Sequence, residues 1–271
     1  MAELNAFHSY YCFPGGKHKA LTMSYDDGQV HDRRLVEIFN RHGIKGTFHL
    51  NCGLMDMAIR VPREEVKSLY AGHEVSAHTW SHPTIARCAD SQVAQQVLED
   101  RRGLEALTGY PVRGMSYPNG SQSPSLREML PHLGIEYSRT VDSTGGFKLP
   151  EDFMKWDPTC HHTKDLMDLG RQFLALKKRQ YLYLMYVWGH SYEFDIQSNW
   201  NLMDEFCAMT GGQEDVWYAT SIQIVDCMRS WEALRFSADG SMVLNPSACA
   251  VWLEVKGVAK EVPGGAQVSL G

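Results

Sequence analysis

Nowhere in this 271-residue sequence do Lys and Arg gather against aromatic residues as a phosphate-tracking surface requires, and the net charge is −6. A nucleic-acid partner is therefore not expected. No apolar stretch approaches bilayer-spanning length, so no membrane partner is expected either. The opening MAELNAFHSYYCFPGG has no basic start followed by an apolar core, from which a soluble, cytoplasmic protein is expected. The seven cysteines form no CxxC pair, and an odd number cannot all be bridged internally. Reduced, mostly buried thiols are expected. No internal repeat or low-complexity segment stands out, and nothing in the chain specifies an oligomeric partner.

What is present is enough apolar residue, 44%, for one large core. Strand-like runs recur at ALTMSY (20–25), IKGTFHL (44–50), HEVSAHT (73–79), VRGMSYP (112–118), IEYSRTV (135–141), YLYLMYVWGH (181–190) and VWYAT (216–220), with helix-like stretches between them. That alternation predicts a parallel α/β sheet, and seven βα units nearly close a barrel. Leu35, Ile38 and Phe39 share one face of the first crossover helix, with Gly43 as its C-terminal cap. Val93, Val97, Leu104 and Leu107 make a second stripe; Leu166, Leu169, Phe173 and Leu176 make a third, after a Thr163 cap. From about Phe236 short alternating runs flank the turn pairs Asp239-Gly240 and Asn245-Pro246. The expected organisation is a main unit over 1–235 and a small antiparallel β appendage over 236–271, which covers a barrel opening, pairs with a second subunit or extends a substrate groove.

Active sites of parallel α/β sheets gather at the C-terminal strand ends. Those ends deliver Asp26 and Asp27, then His78 and His82, Tyr117 to Gly120, Arg139 and His190. Singly these are weak. Twelve histidines in this length give about half an HxxxH pair by chance. Asp-Asp-Gly is also an ordinary turn, and His190 also suits a satisfied core position. Together, at one end of one sheet, they point to a metal. Two adjacent carboxylates repel unless a cation compensates, and His78 with His82 completes an N,N,O set of the catalytic-zinc type. One aspartate ligates while its neighbour, pointing elsewhere, is free to take a proton from water.

In this order the residues resemble the polysaccharide deacetylases, the carbohydrate esterase family four with the nodulation-type deacetylase homology domain, over roughly Lys19 to Trp231. SYDDG resembles the family's TFDDG, which implies Asp26 as general base and Asp27 as metal ligand. HTWSH matches H-[ST]-x-x-H and implies His78 and His82 as the other ligands. YLYLMYVWGH resembles the late strand that ends in the general acid, which implies His190. The resemblance implies a distorted (β/α)7 barrel and a metal-dependent hydrolase that removes N- or O-linked acetyl groups from a carbohydrate, an acetylated oligosaccharide. The implied cofactor is one divalent ion, Zn2+ first, with Co, Ni, Fe or Mn also compatible.

One motif departs. The family's R-x-P-Y-G is SYPNG here, with Ser116 at the arginine that braces the catalytic aspartate. Arg139, at the exit of the next strand, is the first expected replacement and Arg113 the second. The backbone N–H at Asn119 is implied as an oxyanion donor, Trp156 as an apolar wall and Asp157 as the group orienting His190. Tyr117, Tyr192, Glu193 and Asp195 are candidates for lining a sugar groove, by type and position; Asp32 and the pair His161-His162 receive no role. Two other readings stay open: an amidohydrolase acting on a small cytosolic C–N substrate, and a non-catalytic carbohydrate-binding relative that lost activity with its arginine.

Overall fold

The computed structural model describes residues 8–271; the first seven, on which the expectation of a leaderless start partly rests, lie outside the described residues. A short strand β1 (Ser9–Cys12) precedes eight parallel strands: β2 (Lys19–Asp26), β3 (Gly46–Leu50), β4 (Glu74–Ala77), β5 (Gly114–Ser116), β6 (Tyr137–Arg139), β7 (Cys160–His161), β8 (Tyr183–His190) and β9 (Val216–Tyr218). Around them run α1 (Asp32–His42), α2 (Arg63–Leu69), α3 (Asp90–Thr108), α4 (Pro124–Met129), α5 (Leu166–Ala175), α6 (Tyr192–Ile196), α7 (Trp200–Thr210) and α8 (Ser221–Ala233). Seven strands follow the order β6-β5-β4-β3-β2-β8-β7. Strand β8 pairs the whole length of β2, so β9 (at Lys19–Leu21) and β3 (from Met23) divide the opposite edge between them. Trp156 bridges to Arg139 on β6 while β7 pairs β8, so residues 156–161 span the gap between the sheet ends. The result is a distorted (β/α)7 barrel.

All seven strands read from the sequence are present. Strand β7 was not anticipated, because two residues are too short for any periodicity to register. The apolar stripes bury as their spacing requires: Leu35, Ile38 and Phe39 on α1, Val93, Val97 and Leu104 on α3, and Leu169 and Phe173 on α5 join one core cluster, each large side chain contributing about 1.5–3 kcal/mol. Gly43 closes α1 with φ 68°, a left-handed position that a side chain would strain. Thr163 does not cap α5. The helix starts after Asp165, and the Thr163 hydroxyl turns instead to His161 Nδ1, 2.8 Å away.

The tail forms two small antiparallel sheets. β10 (Arg235–Phe236), β11 (Met242–Leu244) and β14 (Gln267–Ser269) make one; β12 (Val251–Val255) and β13 (Val258–Val262) make the other, with β1 as its third strand. Tyr11 stacks on Trp231 at 5.4 Å, and Phe13 lies 5.5 Å from Trp217 and 5.6 Å from Trp231. Phe13 and Trp231 share a buried cluster with Val251, Leu253, Ala20 and Leu184, and Trp217 packs against it. Ala20 and Leu184 sit near the starts of β2 and β8, so the tail packs at the N-terminal end of the barrel, away from the strand ends that carry Asp26 and His190. It does not extend a groove there. Among the described residues no helix is long and apolar enough to cross a membrane.

A buried histidine in the fold yields a pH prediction. His73 Nδ1 accepts from the Gly46 N–H at 3.1 Å, and Nε2 lies 3.1 Å from Asn40 Oδ1, so the ring is held in its neutral Nε2–H tautomer. Burial, with a smaller push from Lys45, lowers its pKa to about 4. An unfolded chain therefore binds this proton first, and stability from His73 is full above pH 6.5 and declines as pH falls toward 4, by up to about 1.4 kcal/mol per pH unit. His73→Gln is expected to flatten that slope in urea titrations at stepped pH; an unchanged slope would show that His73 is not its source.

Candidate active site

Register brings the site together. Asp26 ends β2, and its Cα partners are His49 on β3 and His190 on β8, so the carboxylate stands between two imidazoles at the same level of the sheet. The carboxylate is buried at 3% exposure. Burial by itself raises its pKa, but Arg139, His78, His49 and His190 outweigh that and hold it well below the usual carboxylate range. Arg139 is fully buried, and its Nη2 donates to Asp26 Oδ2. Its Nε donates to Ser24 Oγ at 3.0 Å, its Nη1 donates to the Thr140 carbonyl at 2.9 Å, and its guanidinium lies 4.5 Å from the Trp188 ring centre. Ser116 and Arg139 are themselves Cα partners on β5 and β6. The arginine absent from SYPNG thus reaches the aspartate from the neighbouring strand at the same height. Arg113 does not: it pairs with Asp226 at 2.6 Å and Glu136 at 3.2 Å on the outer surface.

Asp27, His78 and His82 bring ligand atoms within 4.8 Å of one another. Their backbones are unusual. Asp27 (φ 81°), Thr79 (φ 67°), His82 (φ 57°) and Asn119 (φ 57°) are all left-handed without being glycine, and all lie on the loops leaving the C-terminal strand ends. Such strain persists where surrounding contacts enforce it. Here Asn51 Nδ2 donates to the carbonyls of His78 (2.6 Å) and Thr79 (2.9 Å), while Asp100 accepts from the His78 N–H at 2.9 Å and the Cys52 N–H at 2.6 Å. Burial pushes Asp100 up to about 7, against the pull of those N–H groups.

The chemistry of the donor set fits a divalent ion. His78 Nδ1 lies 3.0 Å from the Ser116 carbonyl and 2.7 Å from Ser116 Oγ, and Ser116 Oγ donates to Asp26 Oδ1 at 2.9 Å. A carbonyl only accepts, so Nδ1 carries the proton and the Nε2 lone pair is left for a metal. Burial lowers the His78 pKa to about 4, which keeps the ring neutral, as ligation requires. His82 Nε2 stands 3.9 Å from Asp27 Oδ1. Asn51→Ala removes the clamp on the His78–Thr79 turn while leaving every ligand side chain in place, and metal affinity is expected to fall about 10–100-fold, read by competition with a chelating dye. Unchanged affinity would show that the turn holds without it.

The late strand differs from expectation in its partner. His190 Nδ1 is 3.5 Å from Glu193 Oε1, and the His190 N–H donates to Glu193 Oε2 at 3.3 Å. Burial works to lower the His190 pKa, but Glu193, Asp26 and Asp27 raise it overall. Asp157 does not orient His190; it accepts from Thr140 Oγ1. Glu193 itself is held low, the histidines His161 and His190 overcoming its desolvation. Tyr192 lies beside His190, with ring centres 5.2 Å apart, and Asn119 is exposed at the rim. Tyr117, a groove candidate, and Trp156, the expected apolar wall, are not on the surface. Tyr117 is 1% exposed and donates to the Met154 carbonyl at 2.8 Å. Trp156 is equally buried, packed edge-on against Tyr137, Phe153 and Tyr186. Asp195 faces Trp200 and His31 instead.

Three residues at the site were not foreseen. Arg60 Nη1 stands 3.2 Å from Asp27 Oδ1 and also donates to the Asp27 carbonyl. Its loop reaches the site through a bridge to Gln29, which no local pattern announces. His49 interrupts an apolar run at a strand end, a signal available in the sequence; burial lowers its pKa to about 3. Asn51, just past the end of the same strand, carries no signal of its own.

An open-ended α/β barrel with a buried, braced carboxylate beside an N,N,O donor set defines the class. Residues 14–138 match the polysaccharide deacetylase family. The chain is 26% identical over 122 residues to the peptidoglycan-N-acetylglucosamine deacetylase PgdA of Listeria monocytogenes, covering 44% of this chain and 26% of that protein. It is 27% identical over 116 residues to a chitooligosaccharide deacetylase of Sinorhizobium fredii, covering 42% and 53%. The chain thus matches about a quarter of the first of these curated relatives and about half of the second. In fold it is similar to a Mycobacterium smegmatis protein assigned to the polysaccharide deacetylases (TM-score 0.60, 19% identity, 81% of this chain and 93% of that one). It is also similar to a carbohydrate esterase family four pseudoenzyme of Bacillus anthracis (TM-score 0.51, 16% identity, 80% and 68%).

Proposed function

We propose that this protein is a metal-dependent hydrolase that removes acetyl groups from a carbohydrate, an acetylated oligosaccharide. The observation that carries the reading is the pairing of a three-ligand set, Asp27, His78 and His82, with a separate buried carboxylate, Asp26, kept ionised by Arg139. The carbohydrate class comes from the relatives, whose names include peptidoglycan, chitin and chitooligosaccharide deacetylases. In this reading the catalytic unit is residues 1–235, and residues 236–271 close its far end.

A divalent ion held by the three ligands, Zn2+ by the character of two imidazoles and one carboxylate, supplies positive charge that polarises an acyl carbonyl and acidifies a nearby water. Asp26 takes the water's proton. Its low pKa makes it a weak base alone, and Ser116 and Arg139 hold it in one orientation so that no reorganisation accompanies the transfer. His190, whose pKa is raised by Glu193, gives a proton to the departing amine or alkoxide. The backbone N–H at Asn119 faces the oxyanion, and Tyr192 lines the sugar site. The seven unpaired cysteines suit a reducing, cytoplasmic setting.

The test is metal analysis of protein purified without chelator or added metal, followed by acetate release from acetylated xylo- and chito-oligosaccharides alongside allantoin-like amides. One equivalent of ion and acetate from a sugar are expected. Metal without hydrolysis of any acetylated sugar would overturn the reading.

A further inference from the structure

One strand away from the three-ligand set lies a second cluster. His161 ends β7, His190 ends β8 and Glu193 lies in the first turn of α6, with ligand atoms within 4.8 Å of one another. Glu193 is the hub. Its Oε2 lies 3.1 Å from His161 Nε2 and 3.2 Å from His162 Nε2, and its Oε1 lies 3.5 Å from His190 Nδ1. One imidazole suffices to pair a carboxylate; three converge here. The His162 side chain has no exposure, and neither of its ring nitrogens makes a well-formed hydrogen bond. The buried His190 Nδ1 lacks one too. Buried polar atoms are seldom left so, and each such orphan calls for a reason. His161 carries an outer partner of the kind ligating histidines have, with Thr163 Oγ1 2.8 Å from Nδ1 and Nε2 directed at Glu193.

We infer that His161, His190 and Glu193 form a second metal site, one that takes a divalent transition ion of the Zn2+, Ni2+ or Cu2+ type. Two imidazoles and one carboxylate suit those ions over Mg2+ or Ca2+, which prefer all-oxygen shells. The site is separate from that of Asp27, His78 and His82 and shares no ligand with it. It has a consequence that rests on the reading of His190 given above, although the binding itself does not. An ion on His190 Nδ1 occupies the ring that the proposed reaction uses as proton carrier, so the second equivalent inhibits.

The test uses the full-length chain dialysed against graded free Zn2+, with metal counted per chain, beside His161→Gln and Asp27→Asn. Two equivalents are expected for the wild type and one for each variant. Glu193→Gln is expected to lose the same equivalent as His161→Gln, and circular dichroism verifies folding of each. One equivalent in the wild type, or two retained by both His161→Gln and Glu193→Gln, overturns the site. Between one equivalent and two, wild-type acetate release is expected to fall about a hundred-fold, the lower end of what a proton carrier contributes. Over the same range of free Zn2+ the rate of His161→Gln stays flat. A wild-type rate that holds at two equivalents overturns the inhibitory role. Absence of acetate release at every zinc level overturns the hydrolase reading, and the count of equivalents then decides the second site by itself.

Discussion

Asp26→Asn is expected to lower acetate release by about 10²–10⁴-fold, the range for loss of a positioned proton acceptor, while the protein still takes up its divalent ion. The amide matches the carboxylate in shape and still accepts from Ser116 Oγ, so the chain from His78 Nδ1 through Ser116 survives. What it lacks is a site for the proton. Acetate release at the wild-type rate, with metal bound, would remove Asp26 from the reaction. The substitution also leaves the Arg139 guanidinium buried and facing a neutral group. A loss of several kcal/mol of stability is therefore expected in parallel, about the cost of stranding one partner of a buried pair.

Arg139→Met should produce the second large effect, by the reverse route. Asp26 keeps its carboxylate but loses the cation that offsets its desolvation, at a cost of about 3–5 kcal/mol in urea unfolding. The sign of the pH dependence follows. In the wild type the folded pKa of Asp26 lies below the unfolded value, so its contribution to stability is present above the unfolded value and disappears as pH falls through the folded one. Without Arg139 the folded pKa rises, and the acidic limb of the activity profile is expected to move to higher pH. Arg139→Lys restores charge but not the simultaneous reach to Asp26, Ser24, the Thr140 carbonyl and the Trp188 face, so it recovers only part of the loss. The double variant Asp26→Asn/Arg139→Met is expected to be more stable than the sum of the single changes implies, because no charge remains unpaired. Strict additivity, or an unmoved acidic limb, would show that the two groups are not coupled.

Much of the barrel was legible because its signals are local. Apolar spacing specified the faces of α1, α3 and α5, and seven strand runs were visible in composition alone. Strand β7 escaped for lack of length. Strand β1 escaped because SYYC has no alternation that distinguishes it from a loop, and its pairing with Val251–Val255 is set by folding of the far end of the chain. Among the candidate residues, Asp27 and His78 each follow a strand end directly, and His82 lies further along the loop that His78 begins. Tyr117 and Trp156 went astray for one reason: type and proximity in sequence do not reveal which side of the backbone a ring takes, and both turn into the core. The partner of His190 was sought thirty-three residues away at Asp157, whereas Glu193 stands one helical turn on, where α6 begins.

By itself the sequence determined which chemistry arrives at the C-terminal ends of the strands, since side-chain type and strand periodicity are properties of short segments. Only the tertiary structure decided which of those groups touch. Register across β5 and β6 moved the arginine from Ser116's strand to Arg139's, loop packing delivered Arg60 to Asp27, and the convergence of β7, β8 and α6 gathered three imidazoles around one carboxylate. Such contacts join residues up to more than a hundred positions apart, and their energies depend on burial and geometry that exist only once the sheet has closed.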